Sequence, residues 1–143
     1  MAAKNIIAYE EHVAGLYGLL EQVEHSITAS GFNRNLNHLV KLRASQMNGC
    51  GFCVKMHTSE ARRDGETDRR LDRLIVWRHV DDFSKAERAA FAWTEALTNV
   101  VESTDYNMLR TQLLEHYSEQ DISVLTSIIA MINLWNRLGV SKH

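Results

Sequence analysis

The chain has 143 residues, of which 45% are hydrophobic and 24% are charged, and its formal net charge is −2. These values are ordinary for a globular protein, and a chain of this length buries roughly 70% of its unfolded surface. We therefore expect a single domain that spans residues 1–143. The balanced charge disfavours a nucleic-acid-binding protein, because no basic face dominates.

We expect the protein to be cytoplasmic and to have no membrane partner. The first residues lead into Glu10 and Glu11 too soon for the apolar region of a signal peptide. No apolar run approaches the roughly 20 residues that cross a bilayer. In the reducing cytoplasm, a pair of closely spaced cysteines is more often redox-active or metal-binding than a structural cross-link.

The pattern along the chain predicts an all-α fold of about six to seven helices, because apolar residues recur at three- and four-residue steps and proline is absent. The first predicted helix carries Val13, Leu16, Leu20 and Val23 and ends near Gly31, and the second lies around Leu36–Met47. The third runs from Cys50 to Gly65, a glycine in the position of a left-handed cap, and the fourth carries Leu71, Leu74, Ile75 and Trp77.

Serine residues mark the starts of later helices. Ser84 and Glu87 have the spacing of a capping box, and the helix that they open runs to about Val101. Ser103 or Thr104 is expected to cap the next helix, which carries Leu109 and Leu113. Ser118 is expected to cap the last helix, which ends before Gly139. That helix is apolar on most sides, so we expect it to be central and buried, partly against another subunit.

Both cysteines of the chain, Cys50 and Cys53, lie three positions apart, and His57 follows the second by four. On an α-helix these three side chains fall within about 60° of one another. Asn48 and Gly49 predict a turn into this helix, so the cysteines lie in its first turn, where the helix dipole favours a thiolate. His57 can accept the Cys53 proton or hold the thiolate. This constellation predicts either a redox site or a metal site.

A redox site of this kind has a defined chemistry. A thiolate attacks a peroxide to give a sulfenic acid, which a neighbouring thiol condenses into a disulfide. The spacing supports Cys53 as the first nucleophile and Cys50 as the resolving thiol. The reverse order stays open, because the more N-terminal cysteine of such a pair often attacks first.

The metal alternative uses Cys50, Cys53, His57 and the more distant His38 as a tetrahedral set of two sulfurs and two nitrogens, which zinc accepts. Against it, the chain is long enough to fold around its own core. Three of the ligands also lie within eight residues, unlike those of a zinc finger. We therefore expect no metal and no other cofactor.

The segment from Leu39 to Thr58 resembles the core of the alkyl hydroperoxidase D (AhpD) family, within the carboxymuconolactone decarboxylase superfamily. The similarity continues in consistent order through residues 61–66, 77–98 and 132–138. The resemblance implies an all-helical AhpD-like fold, homo-oligomers that are often trimers or hexamers, and thiol peroxidase activity without metal or haem.

The resemblance also implies roles for single residues. The peroxidatic cysteine of the family corresponds to Cys53, its disulfide partner to Cys50, and its histidine to His57. The family has a glutamate of a proton relay twelve residues before the first cysteine, and this chain has His38 there. We expect His38 to take over that role. A histidine that some members have before the second cysteine is Phe52 in this chain.

Together these observations predict a thiol-dependent alkyl hydroperoxide reductase of antioxidant defence. Its expected partners are a hydroperoxide, a dithiol, thioredoxin-like or lipoyl-type reductant, and further copies of itself. Three other interpretations stay open: a thiol-disulfide redox or stress-sensing protein with little peroxide turnover, a zinc-binding module, and a decarboxylase of a lactone acid. The last of these does not need the cysteine pair.

Overall fold

The computed structural model describes residues 5–143, and this part of the chain consists of helices with no strand. The all-α prediction is therefore confirmed. The helices are α1 (Tyr9–His12), α2 (Ala14–Ala29), α3 (Arg34–Asn48), α4 (Gly51–Arg63), α5 (Asp68–Arg73), a 3₁₀ helix (Leu74–His79), α6 (Lys85–Thr98), α7 (Tyr106–Leu114) and α8 (Glu119–Lys142).

Helix α8 is the central element and packs against α2, α3, α4, α6 and α7. Its length and composition would also suit a membrane span, but the core helix of a globular protein has the same properties. Here it supplies buried side chains to the core along its length, which confirms its predicted central position. These side chains are Leu125, Ile128, Ile129, Met131, Ile132 and Asn136.

Two of the predicted helix starts are confirmed and one is wrong. Ser84 and Ser118 both form capping boxes, in which each hydroxyl accepts a backbone N–H and an acidic side chain of the first turn bonds back. Helix α7 is capped by Asp105, whose carboxylate accepts the N–H of Met108 at 2.9 Å, and not by Ser103 or Thr104. The preceding turn, closed by a bond from Thr104 N–H to Val101, delays the start of the helix.

Three apolar side chains of the predicted helices, Val13, Leu16 and Ile75, are exposed. Ile75 is 59% exposed, because the chain tightens to a 3₁₀ helix at Leu74 and only residues three apart then share a face. Leu74 and Trp77 take the inward positions. At the start of α2, Val13 and Leu16 are exposed within residues 5–143, whereas Leu20 of the same stripe packs against the core.

The last helix does not end at Gly139, as the sequence suggested, but continues to Lys142. A glycine within a helix is tolerated at a cost of roughly 1 kcal/mol relative to alanine. The reason for this glycine is a close approach to the cysteine pair, which is described below.

Candidate active site

The corner between α3 and α4 places the cysteine pair. Gly49 ends α3 with a φ of 66°, a left-handed conformation that glycine adopts without steric cost. Cys50 is the N-cap of α4, and its Sγ accepts the N–H of Cys53 at 3.3 Å. The two cysteines form a disulfide, and their Cα atoms lie 5.2 Å apart.

Side-chain amides fasten this corner to α8. The Asn48 amide donates to the side-chain oxygens of Asn133 and Asn136, each at 2.9 Å. Asn136 is fully buried and in turn donates to the hydroxyl of Ser45 at 2.9 Å. Because buried amides are costly unless they are hydrogen-bonded, this network fixes the turn that precedes the cysteines.

Gly139 of α8 lies directly against the disulfide. A Cβ built on this glycine would lie 2.8 Å from the Sγ of Cys50 and 3.1 Å from that of Cys53. Even alanine would therefore crowd the sulfur atoms, and α8 can approach the cysteine pair only because this position has no side chain.

A cavity of about 490 Å³ leads to Cys53 and not to Cys50. Both cysteines are almost fully buried, so this cavity is the approach to the Cys53 sulfur. Its lining combines apolar side chains with several charged ones. The lining residues are Glu10, Tyr17, Glu21, Glu24, Lys41, Phe52, Cys53, Met56, His57, Glu60, Ile132, Trp135, Leu138, Gly139, Lys142 and His143.

A line of polar groups connects the cavity with the surface. Nδ1 of His57, which is buried, lies 3.1 Å from Oε2 of Glu60. The same oxygen lies 4.0 Å from Nδ1 of His38. Nε2 of His38 lies 2.6 Å from Asp64 Oδ2, and Arg34 approaches that oxygen at 3.4 Å. Acidic and imidazole groups therefore alternate from the cavity outwards.

The electrostatics of this line favour a neutral His57. Burial lowers the pKa of His57, and this effect outweighs the hydrogen bond that the ring donates to Glu60, which raises the pKa. When its Nδ1–H donates to Glu60, Nε2 is left as an acceptor. Further out, the hydrogen bond with His38 lowers the pKa of Asp64 below its ordinary value.

Three of the four residues predicted for the site lie on α4 or at its N-cap, and the fourth lies on α3. Cys50 and Cys53 are bonded to each other at the start of α4, and Cys53 and His57 line the same cavity. His38 bonds to Asp64 and approaches His57 only by way of Glu60. The zinc interpretation required His38 to lie beside the cysteines, and His38 does not lie there. Across residues 5–143, no group of three or more His, Cys, Asp or Glu side chains is arranged to hold a metal ion.

Glu60 was not predicted from the sequence. Its signal was present, because Glu60 follows His57 by three positions and such pairs meet on one face of a helix. Met56 is 39% exposed and also lines the cavity.

The comparisons with known proteins agree with this architecture. A model of the carboxymuconolactone decarboxylase family matches residues 14–96. The uncharacterized protein YdfG of Bacillus subtilis is 36% identical over 135 residues, which are 94% of this chain and 92% of YdfG.

Two solved structures have the same fold. A protein of unknown function from Agrobacterium tumefaciens, described as a candidate antioxidant defence protein AhpD, superimposes with a TM-score of 0.92 at 34% identity. The alignment covers 97% of this chain and 95% of that one. The debrominase Bmp8 has a TM-score of 0.82 at 21% identity, over 92% of this chain and 71% of its own, and shows the fold alone. The chain belongs to the carboxymuconolactone decarboxylase family and has an AhpD-like fold.

Proposed function

We propose that the protein is a thiol-dependent alkyl hydroperoxide reductase that acts in antioxidant defence in the cytoplasm. The observation that carries this proposal is the shared cavity of Cys53 and His57, with Cys50 bonded to Cys53 from outside the cavity. A hydroperoxide that enters the cavity contacts Cys53, and the imidazole of His57 lines the same cavity. The resolving thiol, Cys50, lies within bonding distance of the Cys53 sulfur and outside the lining.

The reaction begins from the reduced protein. The Cys53 thiolate attacks the terminal oxygen of the hydroperoxide, so that an S–O bond forms, the O–O bond breaks and the alkoxide leaves as an alcohol after gaining a proton. The Cys50 thiolate then attacks the Cys53 sulfur, an S–S bond forms, and hydroxide leaves and is protonated to water. The disulfide of the structure is the product of this half-reaction. A dithiol reductant of thioredoxin-like or lipoyl type returns the two electrons.

His57 moves the protons of this reaction. In its neutral form it accepts the Cys53 proton, and as an imidazolium it donates a proton to the leaving alkoxide. Glu60 orients the ring through Nδ1 and stabilises the imidazolium. His38 and Asp64 extend the line towards the solvent. In this proposal His38 is a relay residue that acts through Glu60.

The test is a single turnover of the reduced protein with one equivalent of cumene hydroperoxide. We expect one alcohol for each disulfide formed, no alcohol from Cys53→Ser, and a sulfenic acid on Cys53 of Cys50→Ser that dimedone traps. Glu60→Gln should slow the oxidation about 10²-fold or more, in the range of a lost acid-base function. Glu102→Gln, in the loop after α6, is the matched control.

Two outcomes would contradict the proposal. A dimedone adduct on Cys50 of Cys53→Ser, with none on Cys53 of Cys50→Ser, would reverse the roles of the cysteines. A protein that exchanges disulfides with dithiols but consumes no hydroperoxide would be a thiol-disulfide carrier and not a peroxidase.

A further inference from the structure

The cations of the cavity wall are already paired with carboxylates. Nζ of Lys41 lies 3.2 Å from Oε2 of Glu24, and Nζ of Lys142 lies 2.8 Å from both carboxylate oxygens of Glu10. The other oxygen of Glu24 accepts the indole N–H of Trp135 at 2.9 Å. A negatively charged ligand would therefore have to compete with a glutamate for either lysine.

The acidic groups of the wall outnumber these cations. Glu60 bonds to His57, and Glu21 makes no hydrogen bond or ion pair within residues 5–143. With Glu10 and Glu24, the lining holds four carboxylates against two ammonium groups and no arginine. Burial lowers the pKa of His57 and so disfavours a compensating positive charge on its ring.

The remainder of the wall between these charges is apolar. Trp135 and Tyr17 meet edge to face, with ring centroids 5.8 Å apart. Ile132 and Leu138 continue this surface along α8, and Phe52 borders the cavity from α4. Such a surface binds the hydrocarbon part of a ligand by excluding water from it.

We propose that this cavity selects uncharged organic hydroperoxides and their alcohol products, and rejects those that carry a carboxylate, such as the hydroperoxides of free fatty acids. A carboxylate that entered would lose part of its hydration without gaining an unpaired cation, and it would approach the four glutamates of the lining. This repulsion gives specificity against the charged competitor. The inference rests on the proposed function only for the identity of the reactive group.

Binding is measured with unreactive ligands, so that it does not depend on turnover. The probes are 2-phenyl-2-propanol and its 4-carboxy derivative, titrated against the oxidised protein at pH 8 and followed by the fluorescence of Trp135. We expect the carboxylate to bind at least tenfold more weakly than the neutral alcohol. Trp135→Phe identifies the part of the signal that arises at the cavity, because Trp77 and Trp93 are buried in the core.

A charge variant tests the cause of the selectivity. Glu24→Gln removes the partner charge of Lys41, while its amide oxygen can still accept the Trp135 N–H. The variant should bind the carboxylate more tightly. The ratio of the dissociation constants of the carboxylate and the neutral alcohol should fall by at least threefold. Glu102→Gln changes the net charge equally but lies outside the cavity lining, and should leave the ratio unchanged.

The outcomes separate this inference from the proposed function. Equal binding of the two probes, tighter binding of the carboxylate, or no binding of the neutral alcohol up to its solubility limit would overturn the inference. Selective binding without any consumption of cumene hydroperoxide would overturn the peroxidase and leave the selectivity standing. Rapid turnover of cumene hydroperoxide and of its 4-carboxy derivative at equal rates would support the peroxidase and overturn the selectivity.

Discussion

Replacement of Gly139 by alanine tests the close contact between α8 and the disulfide. In a helix interior, alanine is favoured over glycine by about 0.8–1.0 kcal/mol. At this position, however, the new Cβ would lie 2.8 Å from one buried sulfur and 3.1 Å from the other. The disulfide cannot rotate away as a flexible side chain would. Either the backbone of α8 or the backbone of the two cysteines therefore has to shift.

The magnitude follows from these two opposing effects. An extra methyl group in a well-packed interior costs about 1–3 kcal/mol. After the gain in helix propensity, Gly139→Ala should lower the free energy of unfolding by up to about 2 kcal/mol. Gly18 is the matched control, because it lies inside α2 and a Cβ there meets nothing within 4 Å. Gly18→Ala should therefore be more stable than the wild type by about 0.8–1.0 kcal/mol.

The assay is urea unfolding of the oxidised proteins, followed by circular dichroism at equal protein concentration. Light scattering of each variant ensures that the same assembly state is compared. We expect Gly18→Ala to exceed Gly139→Ala in stability by about 1–3 kcal/mol, which is the crowding cost alone. If Gly139→Ala were stabilised as much as Gly18→Ala, α8 would not be held against the cysteine pair in the manner described.

Three further predictions concern pH, the relay and assembly. Because burial lowers the pKa of His57, the unfolded chain binds a proton more readily below about pH 6.5, so the free energy of unfolding should fall as the pH drops through that value. Urea titrations between pH 7.5 and 5 should show a flatter fall for His57→Gln. His38→Glu would face Asp64, whose carboxylate lies 2.6 Å from the present ring, and should react with hydroperoxide more slowly in stopped-flow assays than His38→Gln, which keeps a donor. Leu19 is 62% exposed on the apolar side of α2, so Leu19→Lys should reduce the fraction of the expected homo-oligomer that light scattering detects. Ile75→Lys is the control, because Ile75 is 59% exposed but lies on another helix, and it should leave that fraction unchanged. A monomeric wild type would contradict this prediction.

Local rules account for the parts of the fold that the sequence predicted. The capping boxes at Ser84 and Ser118 depend on residues three apart, and the stripe of Cys50, Cys53 and His57 depends on helical periodicity. These features are decided within one or two turns of chain. A reader of the sequence can therefore recognise them without knowing which helices become neighbours.

The errors arise where packing between distant segments decides. Gly139 had the pattern of a helix end, but its partner atoms are sulfurs that lie almost ninety positions earlier in the chain. The stripe on α2 had the pattern of a core-facing helix, but Val13 and Leu16 are 43% and 54% exposed within residues 5–143. Periodicity shows that a face is apolar, and it does not show what that face packs against.

The position of Glu60 explains how the site can lack the glutamate that the family resemblance leads one to expect on α3. At that position the chain has His38, and a carboxylate stands instead on α4, one turn beyond His57. The Glu60 oxygen lies between the two imidazoles, 3.1 Å from one and 4.0 Å from the other. A proton relay requires groups of suitable acidity in contact, and it does not require each group to come from a fixed helix. In the proposed relay, Glu60 therefore serves as the acidic partner of His57, and His38 links this carboxylate to Asp64.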